Sequence, residues 1–168
     1  MREYISEALV LVKDPAGEAD CRVSVFAKDF GKLVGRAKSA RKITSKLGPH
    51  LEPGNFVQVR FIEKNNLQIT DVLKKSRFEI SPTDLYFLDR VLAEGEVEPK
   101  IWEMINGGRF DWRAALAVLG WDPEEASCEN CPEKKADYFH IKSHAFFCAA
   151  CASAAPKNDL ICLDNRNG

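Results

Sequence analysis

The sequence predicts an α+β protein in which a five-stranded β-barrel precedes a small α-helical domain with a metal-binding finger. Three observations carry this prediction. Apolar residues alternate along much of the first half, leucines recur at helical spacing in the second half, and two paired cysteine motifs lie near the end. With 168 residues, 45% of them apolar, the chain can build one large or two small domains around a buried core.

Five strands are predicted within the first 73 residues, at about 4–13, 21–28, 32–38, 56–62 and 67–73. Alternation gives the second and third strands a core face, formed by Val23, Val25 and Ala27 and by Leu33, Gly35 and Ala37. A longer and possibly helical insertion separates the third strand from the fourth. Five strands with such an insertion match the OB-fold, a small Greek-key barrel, better than an SH3-like barrel.

The pattern becomes helical from Ser81, which has the side chain of an N-cap and is followed by Pro82 at the first helical position. Leucines then repeat at helical spacing, and two further short helices are predicted over about 99–106 and 111–120. We therefore predict an OB-fold domain over 1–78, a helical domain over 79–155 that includes a finger at 128–151, and a C-terminal tail over 156–168.

Charge is distributed unevenly, although the net charge is only −1. Residues 1–78 carry 15 Lys/Arg against 9 Asp/Glu, whereas residues 79–168 carry 9 against 16. Such asymmetry indicates a basic module that meets a polyanion, followed by an acidic module with a different role.

Four of the six cysteines form two CxxC pairs separated by 16 residues: Cys128, Cys131, Cys148 and Cys151. Each pair can direct two thiolates to one ion, and two pairs complete a tetrahedral site that suits one structural Zn²⁺, with iron as the alternative. His140 and His144 lie inside the loop and could replace a cysteine ligand. Cys21 and Cys162 have no CxxC partner, so we expect free thiols there.

A second candidate site is the basic segment from Lys28 to Lys46, which has seven Lys/Arg against one acidic residue. Alternation places Phe26 on the outward face, and Phe30 falls at a hairpin tip. Positive charge beside exposed aromatic rings suits sequence-tolerant binding of single strands; the alternative is a solvated basic face with both rings buried. The predicted contact residues are Lys28, Lys32, Arg36, Lys38, Arg41, Lys42, Lys46, Phe26 and Phe30.

No arrangement of residues indicates catalysis. The sequence has no Gly-rich phosphate loop, no HExxH motif and no spaced Ser/His/Asp set. The longest apolar run, residues 8–12, is far shorter than the roughly 20 residues of a membrane helix, and the N-terminus has no signal-peptide pattern. The expectation is a cytoplasmic, non-enzymatic protein.

Both halves resemble the RecO family of bacterial recombination mediators. In the first half the resemblance rests on ordered fragments at 8–13 (ALVLVK), 17–20 (GEAD), 25–32 (VFAKDFGK), 37–41 (AKSAR) and 45–47 (SKL). In the second half, LAVLGWDP at 116–123 leads into the first cysteine pair, and HIKSHAFFCAAC at 140–151 contains the second. The ordered set covers about residues 4–151.

The resemblance implies an OB domain, a helical domain with a zinc finger, binding of single- and double-stranded DNA, and annealing of complementary strands. It also implies partnership with RecR and with the acidic tail of single-strand-binding protein (SSB), in helping to load the RecA recombinase. The chain is shorter than typical members, and the helical region after the finger, which contributes to the SSB-tail site, is nearly absent. The rival interpretations are an RNA-binding OB and zinc-ribbon module of the translation or transcription machinery, and an adaptor that does not bind DNA.

Overall fold

The structure is a computed structural model that describes residues 1–132 and 135–164. It contains two compact units, one spanning Met1–Pro99 and the other beginning at Lys100. The predicted domain boundary at residue 78 therefore falls inside the first unit. No helix in the described part of the chain is long and apolar enough to cross a membrane.

Five strands form a closed barrel in the first unit: β1 (Arg2–Ala16), β2 (Asp20–Ala27), β3 (Gly31–Ala37), β4 (Asn55–Glu63) and β5 (Leu67–Arg77). Their order around the barrel is β1-β2-β3-β5-β4. Neighbours pair in antiparallel fashion except β3 and β5, which are parallel. This arrangement confirms the predicted OB-fold.

The barrel interior follows the predicted alternation. Val23, Val25 and Ala27 are fully buried in one apolar cluster, and Phe61 from β4 is buried in the same cluster. A Cβ atom on Gly35 would lie 3.1 Å from the Phe61 ring, so the third strand has glycine where that ring passes closest.

Helix α1 (Pro82–Val91) packs along β1 on the outside of the barrel. It begins as predicted, because the Ser81 hydroxyl accepts a hydrogen bond from the Asp84 amide. Asp89 joins the helix to the barrel wall: its carboxylate accepts from the Ser24 hydroxyl, and its carbonyl oxygen accepts from Lys32 Nζ at 2.7 Å. The outer face of β2 is therefore covered at this point, and Ser24 is buried.

The insertion between β3 and β4 consists of turns, and no helix is assigned to it. The expected helical character is limited to one turn, in which the Leu51 amide donates to the carbonyls of Leu47 and Gly48. Ala40 and Leu51 are buried in the barrel cluster, so both ends of the insertion are fixed to the core. We call residues 38–54 the β3–β4 loop.

In the second unit, short elements surround the cysteine pairs. They are helices α2 (Pro99–Asn106), α3 (Trp112–Val118) and α4 (Ala149–Ala152), and strands β6 (Tyr138–His140), β7 (Ala145–Phe147) and β8 (Leu160–Cys162). The strands form a sheet in the order β7-β6-β8.

The segment from residue 156 is not simply a tail. After a 3-10 turn at Lys157–Asp159, it forms the edge strand β8, in which Ile161 is 1% exposed. A three-residue strand is too short for alternation to reveal, which is why the pattern did not predict it. Residues 165–168 of the predicted tail lie outside the described residues.

Candidate nucleic-acid surface and metal centre

The four paired cysteines meet at one point in the second unit. All four Sγ atoms lie within 4.8 Å of one another, and Sγ of Cys131 and Cys148 are 3.7 Å apart. A tetrahedral ion with metal–sulfur bonds of about 2.3 Å requires sulfurs about 3.8 Å apart. The sulfur positions therefore fit a single ion held by four thiolates, as the CxxC spacing predicts.

The electrostatics of these thiols also suit a cation. Backbone amides, led by that of Cys148, lower the pKa of Cys128 to about 6. The neighbouring thiols, led by Cys148, raise the pKa of Cys151 to about 12. Four thiolates so close together repel one another strongly, and a bound cation removes that repulsion.

A backbone amide inside each cysteine pair donates a hydrogen bond, one to the small sheet and the other to the side chain of Asp137, just before that sheet. The Glu129 amide, within the first pair, donates to the Phe146 carbonyl of β7 at 2.9 Å. At the second pair, Asp137 Oδ2 accepts from the Ala149 amide at 2.9 Å, at the start of α4. Burial opposes ionisation of Asp137, but the Ala149 amide and the Lys135 ammonium outweigh it and hold the Asp137 pKa below its ordinary value.

The other candidate ligands lie outside this cluster. His140 Nδ1 is 2.7 Å from the Ser143 hydroxyl, and the His144 ring packs on Trp121 with centroids 4.8 Å apart. Cys21 is buried in the barrel core, whereas Cys162 is exposed on β8. Among the described residues, the group of side chains that could hold a metal ion consists of the four paired cysteines alone.

Four of the predicted basic contacts have partners within the protein. Lys32 is half-buried and bound to the Asp89 carbonyl, and Arg36 Nε is 2.8 Å from Asp20 Oδ2. Arg41 donates to the carbonyl oxygens of residues 17 and 18 at 2.9 and 3.3 Å, and Lys28 Nζ lies 3.9 Å from Glu7. Lys32, Arg36 and Arg41 therefore link strands and loops of the barrel, whereas Lys28 makes only a long contact between exposed side chains.

The remaining three predicted cations, Lys38, Lys42 and Lys46, are exposed and lie in the β3–β4 loop. Their ammonium groups make no ion pair or hydrogen bond with another described residue. Asp20 fixes the start of this loop. The Ser39 amide donates to it at 2.7 Å and, together with the Arg36 guanidinium, holds the Asp20 pKa below its ordinary value.

The two phenylalanines occupy different environments. Phe26 does point away from the barrel interior, but it is 1% exposed, so its ring offers no face to a ligand. The prediction that Phe26 contacts nucleic acid is therefore wrong. Alternation indicates which way a side chain points, but it does not indicate whether another element covers that side chain. Phe30 is half-buried and packs edge-on against Tyr4, with centroids 5.2 Å apart.

Sequence reasoning missed three basic residues at the end of β5: Lys74, Lys75 and Arg77. The predicted strand ended at Leu73, whereas the observed one continues to Arg77, and all three residues are exposed. The Lys74 amide donates to His50 Nδ1 at 3.1 Å, which joins this end of β5 to the β3–β4 loop. The sequence KKSR at residues 74–77 could have indicated this basic cluster.

The loop and the end of β5 thus bring six exposed cations to one end of the barrel. Because β3 and β5 pair in parallel at Ala37 and Ile69, both chain segments leave the pairing in the same direction. We call these six residues the basic end: Lys38, Lys42, Lys46, Lys74, Lys75 and Arg77.

The first unit is thus an OB barrel with a basic end, and the second unit has four cysteines placed close enough together to hold one metal ion. The family model described as Recombination protein O N terminal matches residues 1–76. A curated protein named DNA repair protein RecO, from Thermodesulfovibrio yellowstonii, is 29% identical over 177 residues, which cover 90% of this chain and 71% of the relative.

Two further curated proteins carry the same name. The one from Nocardioides sp. is 27% identical over 95% of this chain and 80% of its own length. The one from Cutibacterium acnes is 35% identical over 41% of this chain and 28% of its own length. These matches make the chain similar to the RecO family over most of its length, and they support a role in DNA repair and recombination.

Proposed function

We propose that this protein binds single-stranded DNA through the basic end of its barrel. The observation that carries the proposal is six exposed cations. Five are lysines without an ion pair to a described acid, and the sixth is Arg77, whose guanidinium lies 3.4 Å from the neutral Asn55 side chain. Exposed cations attract phosphates and release the counterions condensed on them, which provides salt-dependent and sequence-independent affinity.

The basic end contains no acidic side chain between Phe30 and Leu51, and the first acid after that stretch, Glu52, is already paired with Lys13. Asp20, which contacts the loop through the Ser39 amide, is likewise paired with Arg36, so these two carboxylates repel a phosphate backbone less than unpaired ones would. Lys32, Arg36 and Arg41 support the same surface through their contacts with the helix, the β1–β2 turn and the loop, Lys28 adds an exposed positive charge, and Phe30 packs against the barrel core.

The proposal extends to the finer activities that the family resemblance implies. Covering the phosphates of one strand reduces its repulsion of the complementary strand, so the protein accelerates annealing, and double-stranded DNA binds to the same cations. A RecR-like partner and SSB then connect the protein to loading of the RecA recombinase. No step of this scheme requires catalysis by this chain.

We further propose that the four paired cysteines hold one structural Zn²⁺. The sulfur spacing and the four-thiolate donor set favour it. Bound zinc ties together two chain segments that are 16 residues apart. All four ligands come from the protein, so the proposed role of the ion is structural.

Binding of fluorescently labelled single-stranded DNA across a salt series tests the main proposal. The double variant Lys42→Gln/Lys46→Gln should flatten the log–log salt slope by about 1.4, at about 0.7 per lost phosphate contact. The matched control is Arg2→Gln/Lys64→Gln, which removes the same charge from exposed positions at the other end of the barrel, one in β1 and one in the turn before β5. The control should leave the slope within error of the wild type.

Equal slopes in both double variants would move the DNA contact away from the basic end. Unlabelled RNA of the same length serves as the competitor: RNA that displaces the DNA at far lower concentrations than unlabelled DNA would favour the RNA-binding interpretation. Binding that ignores salt would favour the adaptor interpretation.

A further inference from the structure

The β3–β4 loop presents one apolar side chain at its tip. The Ser45 amide donates to the Lys42 carbonyl at 2.9 Å, which closes a four-residue turn with Ile43 and Thr44 at its centre. Ile43 is fully exposed, whereas Ile5 and Leu73, also large exposed apolar residues of the barrel, are 52% and 56% exposed. Central turn positions favour Pro, Asn, Asp, Ser and Gly, so the geometry of the turn does not require isoleucine.

The turn is held in place by the barrel. On one side the Arg41 amide donates to the Ala19 carbonyl at 2.9 Å, and the Arg41 side chain donates to the Gly17 carbonyl. On the other side Lys13 Nζ donates to the Gly48 carbonyl at 3.0 Å. Ile43 itself is β-branched and therefore has few side-chain rotamers. Little conformational entropy is lost when such a side chain is covered by a ligand.

The surroundings of Ile43 indicate what would cover it. Lys42 and Lys46 flank the turn, both are exposed, and the stretch between Asp29 and Glu52 contains no acidic residue. The complementary ligand has negative charges several ångströms apart with an apolar surface between them. Nucleic acid has this pattern, since phosphates lie along the strand and the faces of the bases lie between them.

We propose that Ile43 inserts against the face of a base, as an apolar wedge that unstacks one step of the DNA held by Lys42 and Lys46. This inference rests on the proposed function, because it requires DNA at the basic end. Apolar side chains used in this way partly unstack adjacent bases and add affinity that does not depend on salt.

The test compares Ile43→Ala with Ile5→Ala, which shortens an exposed isoleucine of the same barrel away from the loop. Each variant is titrated with a single strand that contains 2-aminopurine, whose fluorescence increases when it is unstacked. Ile43→Ala should bind about five- to tenfold more weakly, since part of one apolar side chain is no longer buried. Its salt slope should stay unchanged because no charge is lost, and most of the fluorescence increase at saturation should disappear.

Ile43→Phe should keep the affinity, because an aromatic ring can stack on a base. Ile5→Ala should match the wild type. Urea unfolding midpoints confirm that the exposed substitutions leave the barrel folded. If Ile43→Ala matches the wild type in affinity and fluorescence while Lys42→Gln/Lys46→Gln still flattens the salt slope, the wedge is refuted and the proposed function stands. If the slope does not respond to those lysines either, both are refuted.

Discussion

Lys32 and Lys42 belong to the same basic segment in the sequence, yet the structure gives them opposite roles. Lys32 Nζ lies 2.7 Å from the Asp89 carbonyl, whereas the Lys42 ammonium has no bonded partner among the described residues. We predict that Lys32→Met destabilises the first unit without changing how DNA binding depends on salt. Lys42→Met should leave the stability unchanged and should weaken the dependence of DNA binding on salt.

The magnitude follows from the position of Asp89. Helix α1 ends at Val91, so the Asp89 carbonyl is among the last four, which have no partner within the helix. An ammonium at this end satisfies that carbonyl and offsets the negative end of the helix dipole. A hydrogen bond to a charged group contributes about 1.5–3 kcal/mol. Methionine keeps the apolar contacts of the stem, so we expect a loss of about 1–2 kcal/mol.

Urea unfolding of the two variants measures the stability difference, and a shift of the midpoint at unchanged m-value identifies a change in stability alone. The same samples are titrated with single-stranded DNA across a salt series, where Lys42→Met should flatten the slope by about 0.7. A Lys32→Met protein as stable as the wild type, with a flattened salt slope, would refute the assignment of Lys32 to the barrel–helix contact.

Three further predictions concern the metal centre, the free cysteines and the loop anchor. Metal analysis should find about one zinc per wild-type chain and much less in Cys148→Ser. The same variant should lower the unfolding temperature of the second unit but not that of the barrel. A metal-free, fully folded wild type would contradict this prediction. Cys21→Ser should cost about 1–3 kcal/mol in urea unfolding because it places a hydroxyl in the barrel core, whereas Cys162→Ser should be neutral; loss of metal from the Cys162 variant would show that it is a ligand. Since the Ser39 amide and Arg36 lower its pKa, the Asp20 carboxylate stabilises the fold above the unfolded-state pKa of about 3.9, and this contribution is lost as the pH falls through the lower folded pKa. A carboxyl NMR titration of Asp20 at or above 3.9 would overturn that prediction.

The interior of the barrel could be predicted from the sequence, because one side of each strand faces a single apolar core. Val23, Val25 and Ala27 alternate strictly, and a period of two has only one interpretation when the turns on either side are also recognisable. The cysteine centre was equally accessible, since two CxxC pairs specify their own geometry.

The outer face of the barrel could not be predicted in the same way. Phe26 and Lys32 both point outward, but what lies over them is determined by tertiary packing, and Lys32 is held by a helix that begins some fifty residues later. The residues of the basic end come together through the closure of the barrel: parallel pairing of β3 with β5 joins positions more than thirty residues apart in the sequence. Local pattern contains no information about such contacts.

The most direct test of the central claim is the rate at which two complementary fluorescently labelled DNA strands anneal in the presence of the protein. Wild-type protein should accelerate annealing, the control Arg2→Gln/Lys64→Gln should match it, and Lys42→Gln/Lys46→Gln should lose most of the acceleration at physiological salt, because shielding of phosphate repulsion depends on those cations. Equal acceleration by both double variants, or no acceleration by the wild type at concentrations that saturate the single strand, would contradict the claim.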